Sequence, residues 1–134
     1  MTQEDKDLLL KDLCARLPYG VKVESVFINP DTKEHKSCGI EVFDATSILM
    51  IRDGFGEFKP YLFPLSSLTE EQKQEYSYIV NYLSPDDTDN WKEGEFVYVE
   101  QMSQLMHFFY RNHLDFRGLI EQGLANDATG KDIY

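Results

Sequence analysis

The chain has 134 residues, of which 42% are hydrophobic and 13% aromatic, enough apolar surface for one packed domain and too much for a disordered chain. Its formal charge of −11, from 13 Lys and Arg against 24 Asp and Glu, argues against direct nucleic-acid binding and against adsorption to anionic lipid, both of which draw on basic residues. No apolar run approaches the ~20 residues of a membrane span, and the polar, acidic stretch Met1–Asp7 does not read as a signal peptide, so a cytoplasmic protein is expected.

The first predicted element is a helix over about Gln3–Leu17. Thr2 is a plausible N-cap with Asp5 three residues on, and Leu10, Leu13, Cys14 and Leu17 form one stripe, which makes Cys14 a core residue. Pro18 and Gly20 stop the helix. Val21–Ile28 then reads as a strand, Asn29–Lys36 as a polar turn region and Ile40–Phe43 as a second strand. Ile48–Ile51, apolar at every position, is predicted as a third strand. Asp53-Gly54-Phe55-Gly56 is turn chemistry suited to a tight hairpin. Glu57–Phe63 reads as a fourth strand whose Pro60 places it at an edge or a bulge. Together these predict about four antiparallel strands, as a meander or a small, partly open barrel.

After Pro64 the period changes from two to that of a helix. Thr69-Glu70-Glu71-Gln72 is a capping box, and the helix it opens carries Tyr76, Ile79, Val80 and Leu83 on one stripe. Ser84–Asn90 ends it. A third helix is predicted from about Phe96 or Tyr98 to Asn112, with Met102, Leu105, Met106 and Phe109 as its apolar stripe. A structured tail follows over Asp115–Leu124, with Ala125–Tyr134 as a polar end. Segregated strands and helices predict one α+β domain over residues 1–134.

No catalytic, cofactor or metal site is predicted. The chain has no phosphate-binding loop, no dinucleotide fingerprint and no nucleophile elbow. His35 and Cys38 lack a second pair to complete a tetrahedral site, and His107 and His113, six apart, turn away from one another on a helix. His113 reads as a residue of the helix C-terminus, favoured there by the dipole. Cys14 and Cys38 read as reduced thiols, a disulfide between them being left open.

Two places carry candidate site residues. Arg117 lies in the compact apolar segment His113–Ile120. It reads either as an internal clamp, satisfied by Asp115 or a helix-end carbonyl, or as an anion-binding guanidinium in a cleft with Tyr110 and His113. The second place is acidic: between Glu70 and Glu100 nine carboxylates face only Lys73 and Lys92, so seven of the eleven net negative charges lie there. That stretch reads as a solvated face or as a docking surface for a basic protein partner, with Asp86, Asp87, Asp89 and Trp91 as its candidate residues.

Three segments, Leu8–Gly20 (LLLKDLCARLPYG), Lys59–Gln72 (KPYLFPLSSLTEEQ) and Asp115–Ala125 (DFRGLIEQGLA), together resemble a set of small proteins from Bacteroidetes-type gut bacteria and their prophages. The resemblance implies a common fold and a mobile-element context, and no activity. The motifs themselves read as helix stops, caps and anchors. The expected function is therefore that of a non-enzymatic interaction protein of bacterial or prophage origin. Two alternatives stand beside it: an acidic inhibitor that imitates nucleic acid to occupy a basic host protein, and a small enzyme with a site near Arg117.

Overall fold

The computed structural model describes residues 2–81 and 91–134, the side chains of 81 and 91–100 excepted. Helix α1 spans Gln3–Arg16. Its start is the predicted one: Thr2 Oγ1 accepts from the Asp5 amide at 3.1 Å, and Asp5 Oδ2 accepts from the Thr2 amide at 3.2 Å, which satisfies two donors that the first turn would otherwise leave orphaned. The buried face is not the predicted stripe. Leu9, Asp12, Leu13 and Arg16 are buried, and Cys14 is exposed. The helix has turned toward Asp12 and Arg16, a polar pair that periodicity counted as outside, so Cys14 is not a core residue.

A short 3-10 turn over Leu17–Tyr19 leads through Gly20, at φ +69°, into strand β1, Lys22–Ile28. Strand β2 runs His35–Val42, five residues earlier than predicted. The turn before it is closed by Asn29, whose side-chain oxygen accepts from the amides of Asp31 at 2.9 Å and Thr32 at 3.2 Å. β1 and β2 pair antiparallel, from Lys22↔Val42 to Ile28↔His35.

The expected third strand is a helix. Helix α2 covers Ala45–Arg52, because Asp44 caps it: Asp44 Oδ1 accepts from the Ser47 amide at 3.0 Å, and Ser47 Oγ accepts from the Asp44 amide at 3.3 Å. An apolar run this short is compatible with either period, and the cap decides. Asp53-Gly54 accordingly ends a helix and makes no hairpin: the Gly54 amide, at φ +77°, donates to Ile51 O at 3.2 Å.

Strand β3, Gly56–Leu62, pairs antiparallel with β1 from Val23↔Pro60 to Phe27↔Gly56. A 3-10 turn at Leu65–Ser67 leads to helix α3, Glu70–Asn81. The predicted capping box is present: Thr69 Oγ1 accepts from the Gln72 amide at 3.2 Å and Gln72 Oε1 from the Thr69 amide at 2.9 Å. Helix α4 runs Trp91–Arg111, starting before the predicted Phe96 or Tyr98. The two-residue strand β4, Asn126–Asp127, pairs with Tyr61 and Leu62 in the parallel sense. The sheet is open, in the order β2-β1-β3-β4. The fold is α+β, with the sheet neither closed nor antiparallel throughout. Pro60 is tolerated because β4 covers β3 only at Tyr61 and Leu62, past the proline.

The main core joins α1, the sheet and the tail through Leu9, Leu13, Val21, Val23, Phe43, Phe58, Leu62, Leu119 and Leu124, with Ile48, Met50 and Ile51 of α2 packed on it. A second cluster ties α3 to α4 through Ile79, Phe108 and Leu114. The buried residue of α4 there is Phe108, beside the predicted stripe. Residues 125–134 are no polar end, since Ala125, Ala128 and Ile133 are buried. Leu13 is 0% exposed, so Leu13→Ala is expected to lower unfolding free energy by about 2–5 kcal/mol. Cys14→Ser, one residue on, should stay within about 0.5 kcal/mol of the parent. Urea denaturation checks both; equal midpoints would make α1 a surface appendage.

Candidate functional site

Asp12 and Arg16 are four apart on α1, so their side chains meet on one helix face. Both are 0% exposed. Arg16 Nε donates to Asp12 Oδ2 at 2.8 Å, and Arg16 Nη2 donates to Leu114 O at 2.7 Å. Arg117 reaches the same carboxylate from the far end of the chain, with Nη1 donating to Asp12 Oδ1 at 2.5 Å and Nη2 to the Tyr110 hydroxyl at 3.1 Å. The Phe116 ring lies 4.4 Å from the Arg117 guanidinium carbon and 5.6 Å from that of Arg16, a cation–π contact that replaces part of the lost hydration. Two guanidiniums thus share one carboxylate.

This geometry makes Arg117 an internal tie. Its partner is Asp12 of α1, and Asp115 is engaged elsewhere: its two oxygens accept from the amides of Leu119 at 2.8 Å and Ile120 at 2.9 Å. That cap holds the turn which carries Arg117. Tyr110 is brought to Arg117 as expected. It also lines an open groove of about 450 Å³ with Tyr19, Ser103, Gln104, Met106 and His107, where the Tyr19 hydroxyl and His107 Nδ1 are 2.8 Å apart.

His113 is placed differently from the expectation. It follows α4 at φ +54°, and its carbonyl accepts from the Phe63 amide at 2.8 Å. Its ring stacks on Tyr134 with centroids 3.7 Å apart. Burial, together with the nearby charges of Arg16 and Lys22, pushes its pKa down to about 4. It is a neutral ring, not a cation on a helix dipole. The Tyr134 hydroxyl accepts from the Lys22 amide and donates to Tyr61 O, both at 2.8 Å, and burial raises its pKa to about 12. Arg16 Nη1 and His113 Nδ1 are buried without a hydrogen-bond partner.

The acidic stretch is only partly described. Asp86, Asp87 and Asp89 lie outside the described residues, as does the side chain of Trp91. Within it, Glu70 pairs with Lys73 at 3.4 Å and Glu75 pairs with Arg111. Among the described residues no group of three or more His, Cys, Asp or Glu side chains is placed to hold a metal ion, and no helix is long and apolar enough to cross a membrane.

A further surface lies on β2, of which the sequence predicted only the second half and not the exposed edge. β2 is the outermost strand, and all eight of its residues are exposed. Ile40 is 53% and Val42 52% exposed. Its outer row of backbone donors and acceptors meets no other strand among the described residues. The register with β1 slips by one residue between Ser25 and Val26, leaving Cys38 as an extra residue, and Gly39 takes φ +83° there. Weak β signals in His35–Gly39 hid the first half of this strand; the i, i+4 spacing of Asp12 and Arg16 was the signal available for the buried pair.

Comparison with protein-family models, with curated proteins and with solved structures finds no match. The resemblance of the three segments rests on those segments alone.

Two outcomes test the cluster. Asp12→Asn leaves two enclosed guanidiniums without an anion and should cost about 3–5 kcal/mol. Arg117→Ala leaves Asp12 still paired with Arg16 and should cost less, about 1–3 kcal/mol. Equal losses in denaturant midpoint would show that the carboxylate is not shared. His113 gives the pH dependence. Its folded pKa of about 4 lies below the ordinary 6.5, so the stability it contributes is complete above pH 6.5 and is lost as pH falls toward 4. In His113→Asn, chosen because Asn tolerates the positive φ, stability should fall less between pH 6.5 and 4. An unchanged slope in that window would assign the pH dependence to other groups.

Proposed function

We propose that the protein is a non-enzymatic, cytoplasmic interaction protein whose binding element is the free edge of β2. The observation that carries this reading is an eight-residue strand exposed along its whole length, at the end of a sheet whose other long strands contribute Val23, Phe58 and Leu62 to the core. An uncovered strand of this length offers main-chain hydrogen bonds to another polypeptide, the mode of recognition by strand addition. Ile40 and Val42 add apolar contact on one face. The free, exposed thiols of Cys14 and Cys38 suit a reducing compartment.

The competing readings draw less support. Arg117, the leading residue for an enzymatic site, has its guanidinium engaged by Asp12 and Tyr110. The acidic stretch would attract a basic partner, but two of its carboxylates, on Glu70 and Glu75, already pair with Lys73 and Arg111.

The reading is tested by capture. A tagged chain, expressed beside an untagged copy, should hold a defined set of bound polypeptides measurable by mass spectrometry. The double variant Ile40→Lys/Val42→Lys places two charges on the strand, a substitution that blunts sheet edges. It should lose that set while melting within a few degrees of the parent, because both positions are half exposed. A double variant that retains the same set would sink the β2 reading.

A further inference from the structure

We infer that the occupant of the β2 edge is a second copy of this chain, its β2 paired antiparallel with the first about a two-fold axis. This rests on the β2 reading above and adds the identity of the partner. The argument begins with the two faces of the strand. Pairing with β1 sets His35, Ser37, Ile40 and Val42 opposite Ile28, Val26, Glu24 and Lys22, and sets Lys36, Gly39 and Glu41 opposite Phe27, Ser25 and Val23. Opposed residues in a sheet share a face. The extra residue at Cys38 therefore places Lys36 and Glu41, five apart, on the same face, which a regular strand would not do.

Symmetry then selects a register. In an antiparallel pair about a two-fold axis, residue i meets j and j meets i, and both must lie on one face. Setting Lys36 opposite the second copy's Glu41 sets His35 opposite Val42, Ser37 opposite Ile40 and Cys38 opposite Gly39. Faces agree on both sides of the bulge, and all eight residues are used. A shift by one residue would set Lys36 against Ile40 or Val42, on the opposite face. A straight strand would leave Cys38 unmatched, as β1 does; a second copy sets bulge against bulge.

Charge supports the same register. Lys36 and Glu41 are the only Lys, Arg, Asp or Glu residues of β2, and the symmetric pairing opposes them twice with opposite sign. No like charges meet. Ile40 and Val42 of the two strands share the other face. The product is one continuous sheet, with β1 and β3 of each copy flanking the central pair.

The test uses the purified full chain in sedimentation equilibrium over a concentration series, where a monomer–dimer equilibrium is expected. Lys36→Glu alone, or Glu41→Lys alone, sets like charges opposite one another at both symmetric positions and should weaken self-association roughly tenfold. The double variant restores opposite signs and should recover the parent's constant. Both positions are exposed, so melting curves should stay close to the parent's and separate pairing from folding. In a Cys14→Ser background, a short bifunctional thiol reagent should link two chains through Cys38, which lies beside the axis, and Ile40→Lys/Val42→Lys should abolish the link. Charge variants indistinguishable from the parent, or a double swap that fails to recover, would overturn the register. A chain that remains monomeric at about 1 mM overturns self-pairing outright. The β2 reading survives that result if the Ile40→Lys/Val42→Lys variant still loses a different captured chain, and falls with it if the captured set is unchanged.

Discussion

The fold depends on one buried carboxylate. Asp12 lies 105 residues from Arg117 and receives its guanidinium at 2.5 Å, while Arg16 ties the same carboxylate to Leu114 O. These bonds join the first helix to the turn that follows the last one. Buried ion pairs give little net stability, because desolvation offsets their attraction, but removing the shared partner is severe. Here one anion serves two cations, so the three charges sum to one excess positive charge in the interior. The aromatic rings of Phe116 and Tyr110 lie against both guanidiniums, and the nearby imidazole stays uncharged. The depressed pKa of His113, to which Arg16 contributes, follows from the same cluster.

Fixing that face of α1 settles what remains outside. With Leu9 and Leu13 turned to the core beside Asp12 and Arg16, the helix covers Val21, Val23 and Phe58, and α2 adds Ile48, Met50 and Ile51. The cover ends at β1. β2 is paired with β1 alone among the described strands, and all eight of its residues are exposed. The ionic cluster closes the chain on itself, and the sheet edge remains open to another polypeptide. This division separates the stabilising cluster from the edge proposed to bind.

The α+β class was legible because its punctuation is local. Thr2 with Asp5 and Thr69 with Gln72 state where α1 and α3 begin, and both boxes are present. The failures share a cause. Ile48–Ile51 is apolar on all sides, so its period carries no information, and the decision fell to the weaker Asp44–Ser47 cap. The stripe that includes Cys14 counts hydrophobicity and not charge; the buried face holds Asp12 and Arg16, which pair with one another and whose further partners, Arg117 and Leu114 O, lie about a hundred residues away. Arg117 stands out as a charge in an apolar segment, but the partners expected for it, Asp115 or a helix-end carbonyl, are local ones, and no local rule links residue 117 to residue 12. The second strand was legible only over Ile40–Val42; Gly39 and the polar run before it hid its first half, His35–Gly39.

An exposed strand is a hazard as well as an opportunity, and the chain limits the hazard in three ways. The formal charge of −11 repels every copy at long range, so that only an alignment with compensating close contacts can pair. The bulge at Cys38 and the left-handed Gly39 bend the edge, so a flat strand cannot lie along it without leaving a residue over. Lys36 and Glu41 punish any register that brings like charges together. These devices are usually understood as guards against aggregation. In β2 the last two have a second consequence for the proposed pairing, because an antiparallel copy of the same strand would match both in one alignment. A feature that refuses most partners also defines the one it accepts, and that specificity distinguishes a binding edge from an unprotected one.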